Sequence, residues 1–179
     1  IPLIDNNKDK AIEMATECIN NFARVYQKFW LEMMRKKLGL KSEEIKDEGL
    51  IVELLSWMHK NKADYTNTFC YLMNEKVLDE KIYTNQDFIN WKKQWQERLK
   101  LHNNSKEKSL EIMHSVNPLV IPRNHIVEEA LDAANKDDLK PILKLLKVLE
   151  KPYQKQEMTS SYQTPAPITK ERYQTFCGT

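Results

Sequence analysis

Few of the side chains that usually carry chemistry stand in a spacing that would let them act together. The four histidines lack the i, i+4 pairing and the neighbouring acids of a helical metal site: His59, His102, His114 and His125. The three glycines are isolated, so no glycine-rich loop is available to cradle a phosphate: Gly39, Gly49 and Gly178. The triplet Asp87-Phe88-Ile89 lacks the glycine of a kinase metal-binding triplet. The sequence therefore predicts no catalytic residue, no cofactor-binding residue and no metal ligand in this chain.

The three cysteines are too few and too scattered for a disulfide framework or a zinc site. Cys18 and Cys70 lie beside apolar neighbours and are predicted to be small buried hydrophobic residues. Cys177 precedes Gly178-Thr179 in a segment without helical pattern, where a thiol would be presented to solvent or to a partner thiol. Cys177 is therefore the redox candidate, and an idle free thiol is the alternative.

Apolar periodicity predicts an all-α fold, a bundle of about seven helices followed by an extended C-terminal tail. The longest helix is expected from Lys8 to Leu38, with apolar residues at helical spacing: Ile12, Ala15, Ile19, Phe22, Tyr26, Phe29 and Met33. A second stripe contains Phe88, Trp91, Trp95 and Leu99. Base stacking is one interpretation of these tryptophans, but core packing is favoured because they recur with other apolar residues at helical spacing.

Two prolines separate the main helical run from a shorter helical pair, in the connector Asn117-Pro118-Leu119-Val120-Ile121-Pro122-Arg123-Asn124. They remove two backbone donors and favour extended backbone at the residues before them, and the aliphatic residues between them are expected to lie against the body. Arg123 is expected to reach a carboxylate or a part of the protein outside this chain. Residues 1–150 are thus predicted to form one helical domain, with pieces 8–116 and 122–150 joined by the connector 117–124. Residues 151–179 are predicted to be extended, polyproline-like coil that ends in Cys-Gly-Thr.

The charge balance excludes several function classes. The chain has 28 basic and 26 acidic residues, well mixed, and a formal net charge of +2. A nucleic-acid-binding surface requires clustered basic charge, so no nucleic-acid partner is expected. No apolar run approaches the roughly 20 residues that cross a bilayer and none resembles a secretory signal, so no membrane partner is expected and a cytoplasmic location is predicted.

Several stretches agree in order and spacing with one known family, from near Asp9 to the last residue. They are Met34–Leu40, Asp64–Phe69, Val116–Asn124, Val127–Leu131, Leu149 with Pro152-Tyr153, and Phe176–Thr179. In this series the chain resembles the C-terminal region of the selenoprotein O family, also called the YdiU family. The family-motif residues of the connector are interpreted as structural: Asn117, Pro118, Pro122, Arg123 and Asn124.

The resemblance implies a larger parent protein with a kinase-like fold that transfers AMP from ATP to serine, threonine or tyrosine hydroxyls of proteins. ATP and magnesium or manganese would be bound upstream of this region, where the family has its nucleotide lysine, arginines, catalytic aspartate and metal ligands. The chain alone is therefore expected to bind neither ATP nor metal and to be inactive, and its partners would be the upstream kinase-like region and the parent's protein substrates.

In this family the residue before the terminal Gly-Thr is selenocysteine in some members, and Cys177 occupies that position here, as in a bacterial-type member. The resemblance thus implies that the tail is redox-regulatory and that the helical domain supports the catalytic part of the parent protein. A non-enzymatic helical protein-interaction module is the alternative, because long amphipathic helices present grooves to partners.

Overall fold

The structure is a computed structural model that describes residues 3–101 and 105–166. Within these two ranges every regular element is helical, which confirms the predicted all-α fold. A 3₁₀ turn at Lys81–Thr84 separates the third helix from the fourth. The helices are α1 (Lys8–Lys37), α2 (Asp47–Asn61), α3 (Tyr65–Leu72), α4 (Gln86–Lys100), α5 (Lys106–Val116), α6 (Asn124–Ala134), α7 (Lys140–Leu149) and α8 (Thr159–Tyr162).

The core lies where α4 packs against α2, and the tryptophan stripe of α4 is its centre. Phe88, Trp91 and Trp95 are almost completely buried, so their interpretation as core residues is confirmed. Burial of an indole leaves its N–H in need of an acceptor, and here backbone carbonyls serve. Trp91 Nε1 donates to the carbonyl of Leu50 at 2.8 Å, and Trp95 Nε1 donates to that of Leu38 at 2.9 Å. These bonds fix α4 against α2 and against the end of α1.

Gly39 sets how closely α1 approaches α5. It follows the end of α1 with a φ of 69°, in the left-handed region that glycine adopts without steric cost. A Cβ at this position would lie 2.8 Å from the carbonyl oxygen of Ser109. The backbones of α1 and α5 therefore meet at a distance that only glycine allows.

The apolar residues that predict α1 do not enter the core. Six of them form one exposed surface, which we call the α1 apolar face: Ile12, Ile19, Phe22, Tyr26, Phe29 and Met33. The helix is attached to the body by a different stripe near its C-terminal end, in which Met34 and Leu38 are buried. Cys18, predicted to be buried, is exposed on the same free part of the helix, and that prediction is wrong.

The segment after α7 turns back onto the body. Extended coil was predicted here, but the structure has the one-turn helix α8, and Thr159, Tyr162 and Gln163 are buried. The backbone N–H of Leu119 donates to the carbonyl of Pro152 at 2.7 Å, so this segment is hydrogen-bonded to the connector. Among the described residues, no helix is both long and apolar enough to cross a membrane.

Candidate functional site

The connector is hydrogen-bonded to α1, to α3 and to the segment after α7. Asn117, Leu119 and Val120 are each at most 2% exposed, which confirms that the connector lies against the body. Asn117 has φ −107° and ψ 106°, the extended backbone that is expected before a proline. The sequence folds this way locally because α5 cannot continue through Pro118, and the aliphatic residues that follow gain free energy by burial.

Arg123 closes the connector against the start of α3. Its Nη1 donates to Asp64 Oδ2 at 2.7 Å and its Nη2 to Asp64 Oδ1 at 3.0 Å, a bidentate pair. Nη2 also lies 3.4 Å from Asn67 Oδ1. Asp64 is at the same time the N-cap of α3, since its Oδ1 accepts the backbone N–H of Asn67 at 2.8 Å. The prediction that Arg123 reaches a carboxylate is therefore confirmed.

The electrostatics of this pair favour the ionised form of Asp64. Burial by itself raises the pKa of the Asp64 carboxyl, but the hydrogen bonds from Arg123 and from the backbone of Asn67 outweigh it and hold the pKa below its usual value. Arg123 Nε is buried and is without a hydrogen-bond partner among the described residues. Both terminal nitrogens of the guanidinium therefore bind the Asp64 carboxylate, and this pair acts as a structural clamp between the connector and α3.

Asn117 connects the other end of the connector to α1. Its Oδ1 accepts a hydrogen bond from Lys37 Nζ, and its Nδ2 donates to the Lys37 carbonyl, both at 2.9 Å. Lys37 Nζ also lies 4.6 Å from the ring centroid of Phe69 and 5.3 Å from that of Tyr65, within range of cation–π attraction. Burial lowers the pKa of Lys37. This lysine joins α1, α3 and the connector at a single point.

Gln163, in the segment after α7, also belongs to this hydrogen-bond network. Its Nε2 donates to the backbone carbonyl of Leu119 at 3.0 Å, and its backbone carbonyl accepts a hydrogen bond from Asn67 Nδ2 at 3.0 Å. Cys70 lies next to the connector, with its Sγ 3.8 Å from the carbonyl oxygen of Pro118. Burial raises the pKa of the Cys70 thiol to about 12, so it stays protonated and unreactive near neutral pH. The prediction that Cys70 is buried is confirmed.

The structure brings together only part of the predicted motif. Asn117, Pro118 and Arg123 belong to the network, whereas Pro122 and Asn124 are exposed, and Asn124 is the first residue of α6. Cys177 lies outside the described residues. No group of three or more metal-ligating side chains occurs in the part of the chain that the structure describes.

Sequence reasoning missed a second buried ionic group. Asp47 is completely buried and accepts hydrogen bonds from Arg98 Nε at 2.7 Å and Arg35 Nε at 2.9 Å. Burial alone raises the pKa of the Asp47 carboxyl, but Arg98, the backbone N–H of Glu44 and Arg35 together hold it below its usual value. One signal was present: Arg98 lies three residues after Trp95, on the buried face of α4, where an unpaired cation would be costly.

These features define an all-helical domain in which a buried polar network joins α1, α3, the connector and the segment after α7. A family model described as "Protein adenylyltransferase SelO" matches residues 4–150. Relatives named "Protein nucleotidyltransferase YdiU" match the entire chain. The one from Pelagibacter ubique is 50% identical over 179 residues, 100% of this chain. Those from Nitrosococcus oceani and Alcanivorax borkumensis are 45% and 43% identical over 100% and 99% of it.

The chain belongs to the SelO (YdiU) family of protein nucleotidyltransferases. It spans only 36–37% of the length of these curated relatives. The resemblance stated from the motifs is thereby confirmed at the level of the family.

Proposed function

We propose that this chain is the helical C-terminal part of a protein adenylyltransferase that transfers AMP from ATP to serine, threonine or tyrosine hydroxyls. One observation carries the proposal: relatives named protein nucleotidyltransferases match the chain from end to end, yet it covers 37% of such a protein. The name of the matching family model, protein adenylyltransferase, supplies the reaction class.

In this proposal the chain supports catalysis and does not perform it. The kinase-like remainder of the protein would bind ATP with magnesium or manganese, and this chain would be packed against it. The described residues supply rigidity, because hydrogen bonds of Arg123, Asn117 and Gln163 join three separate parts of the chain, α3, α1 and the segment after α7, to one connector.

The test is AMP transfer by the full-length protein and by the 179-residue chain, each with ATP, Mg²⁺ or Mn²⁺ and a mixture of protein substrates. Intact-protein and peptide mass spectrometry should find AMP adducts on hydroxyl residues only with the full-length protein. AMP transfer by the chain alone would place the catalytic residues inside it and contradict the proposal. A full-length protein without transfer activity on any substrate, including itself, would contradict the reaction class.

The proposal includes a regulatory role for Cys177. Oxidation would join its thiol to a second thiol, with two electrons and two protons passing to a thiol oxidant such as oxidised glutathione. Within this chain Cys70 is buried and therefore does not fit the role of the second thiol, whereas Cys18 is exposed and is open to it. In a cytoplasm that keeps thiols reduced, such a bond would form only under oxidative stress.

The test of this role is non-reducing electrophoresis of the full-length protein. Oxidation should change its mobility and its transfer rate, and Cys177→Ser should remove both changes. If the variant shifts like the unaltered protein, Cys177 has no redox role.

A non-enzymatic interaction module is the second candidate, favoured by the exposure of the α1 apolar face. The coding sequence before Ile1 discriminates between the two. A glycine-rich loop and an Asp-Phe-Gly-like triplet there would support the transferase, and an upstream sequence without them would support the interaction module.

A further inference from the structure

The α1 apolar face is an exposed apolar surface that none of the residues in ranges 3–101 and 105–166 covers. Ile19 is 73% exposed, Phe22 67% and Phe29 61%, although aromatic and aliphatic side chains of this size normally gain free energy by burial. From Ile12 to Met33 the face is ~32 Å long at 1.5 Å per residue. Contiguous apolar patches of this size mark interaction sites on soluble proteins.

The spacing shows that the face is built to receive a partner. Together with the half-buried Ala15 between Ile12 and Ile19, its residues recur at alternating intervals of three and four, the repeat that keeps one seam of a helix facing a neighbour. At 100° per residue the face is centred about a third of a turn from Met34 and Leu38, which attach α1 to the body. The helix therefore has two apolar surfaces, and only the second is occupied within the described residues.

The residues that border the face favour one kind of occupant. In helices that pair with a copy of themselves, the positions beside the seam usually carry complementary charges. Here those positions are mostly uncharged: Thr16, Cys18, Ala23, Val25 and Trp30. Trp30 packs partly against the core, and Ala23 and Val25 widen the exposed apolar surface, which is rich in aromatic residues, as in the centre of a buried interface. A broad, uncharged surface fits the apolar flank of a larger domain better than a second α1.

We propose that the α1 apolar face is the surface on which the remainder of the full-length protein packs. More than half of the length of the curated relatives lies outside the match, so an occupant of the required size exists in such proteins. The inference rests on the proposed function only in taking this chain to be part of a longer protein. It adds which surface of the chain carries that contact.

Cys18 is a natural reporter because it is exposed at the border of the face. The measurement is the rate of iodoacetamide modification at Cys18, read by peptide mass spectrometry in the full-length protein and in the 179-residue chain. Modification of Cys18 should be at least about tenfold slower in the full-length protein, since reaction would require local opening. The matched control is Glu17→Cys, adjacent to Cys18 in sequence but on the side of the helix opposite the centre of the α1 apolar face, which should react at the same rate in both proteins.

Three outcomes would overturn the proposal. Cys18 reacting equally fast in both proteins would show that the face stays free. Slow modification of Cys18 in the isolated chain that becomes fast on dilution would show that a second copy covers it. Equal slowing at Cys18 and at the Glu17→Cys position would show a general effect and not an interface. If the full-length protein transfers AMP while Cys18 remains reactive, this inference fails and the proposed function stands.

A pair of substitutions checks the same surface without chemical labelling. Phe22→Ser should leave the Tm of the 179-residue chain unchanged, because that side chain is 67% exposed, and should lower the Tm of the full-length protein by at least about 2 °C. Glu17→Ser is the control and should change neither. A fall in Tm for Phe22→Ser in the isolated chain, or none in the full-length protein, would contradict the assignment.

Discussion

Replacement of Arg123 by methionine tests whether the connector clamp holds the module together. Methionine keeps much of the length and apolar stem of arginine but removes all three hydrogen bonds that the guanidinium makes to Asp64 and Asn67. The Asp64 carboxylate then remains in a largely buried position without its counter-charge. The replacement also removes the buried Nε that has no partner among the described residues, which offsets a small part of the loss.

Breaking a buried ion pair by removing one partner costs about 3–5 kcal/mol. Asp64 is 20% exposed and keeps the backbone N–H of Asn67 as a donor, so we expect the lower end, ~3 kcal/mol. For a domain of this size such a loss corresponds to a fall in Tm of ~6–12 °C. The matched control is Lys155→Met. The ammonium of Lys155 lies 2.8 Å from the Glu75 carboxylate, but the Lys155 side chain is 72% exposed, so the loss of this pair should cost at most ~1 kcal/mol.

The assay is urea unfolding of the 179-residue chain followed by circular dichroism, at pH 7 and at lower pH values. Because the folded-state pKa of Asp64 lies below its usual value near 3.9, the pair contributes its full stabilisation above that value. This contribution is lost as the pH falls through the lower folded-state pKa. The difference in unfolding free energy between the chain and Arg123→Met should therefore shrink below about pH 4. A loss at pH 7 no larger than that of Lys155→Met would refute the structural role of the clamp.

Three further changes follow from the packing. Gly39→Ala should destabilise the chain by about 2 kcal/mol or more, because the φ of residue 39 is positive and the new Cβ would clash with α5. Gly49→Ala should stabilise α2 by up to ~1 kcal/mol, because its Cβ would meet no other atom. Thermal melts of the two variants compare these effects. Phe88→Ala should cost about 3–5 kcal/mol in unfolding free energy, because the side chain is completely buried. At pH 8 a thiol reagent should modify Cys18 and leave Cys70 unmodified until the chain unfolds, since burial raises the pKa of Cys70 to about 12; modification of folded Cys70 would contradict this.

Much of the fold could be predicted from local patterns. The helices follow from apolar periodicity, and the burial of Trp91 and Trp95 follows because their stripe has apolar neighbours at every turn. The buried connector was predictable from two prolines around an aliphatic run. Such features depend on residues close in sequence, and for these local chemistry is sufficient.

The remaining features depend on residues distant in sequence. An amphipathic pattern shows that one face of α1 is apolar but not which surface covers it, so Cys18 was wrongly predicted to be buried. The buried Asp47 lies beside two exposed charged residues and looks like a surface residue until α4 brings Arg98 to it. Gln163 belongs to the site only because the chain turns back after α7, and the apolar periodicity of the sequence does not predict that turn.

We propose that this chain supports a nucleotidyltransferase without binding its nucleotide. Isothermal titration of ATP with Mg²⁺ into the full-length protein and into the 179-residue chain tests it most directly. We expect saturable binding to the full-length protein and no detectable heat of binding with the 179-residue chain. Saturable ATP–Mg²⁺ binding to the 179-residue chain would contradict it, because the nucleotide site would then lie among the helices described above.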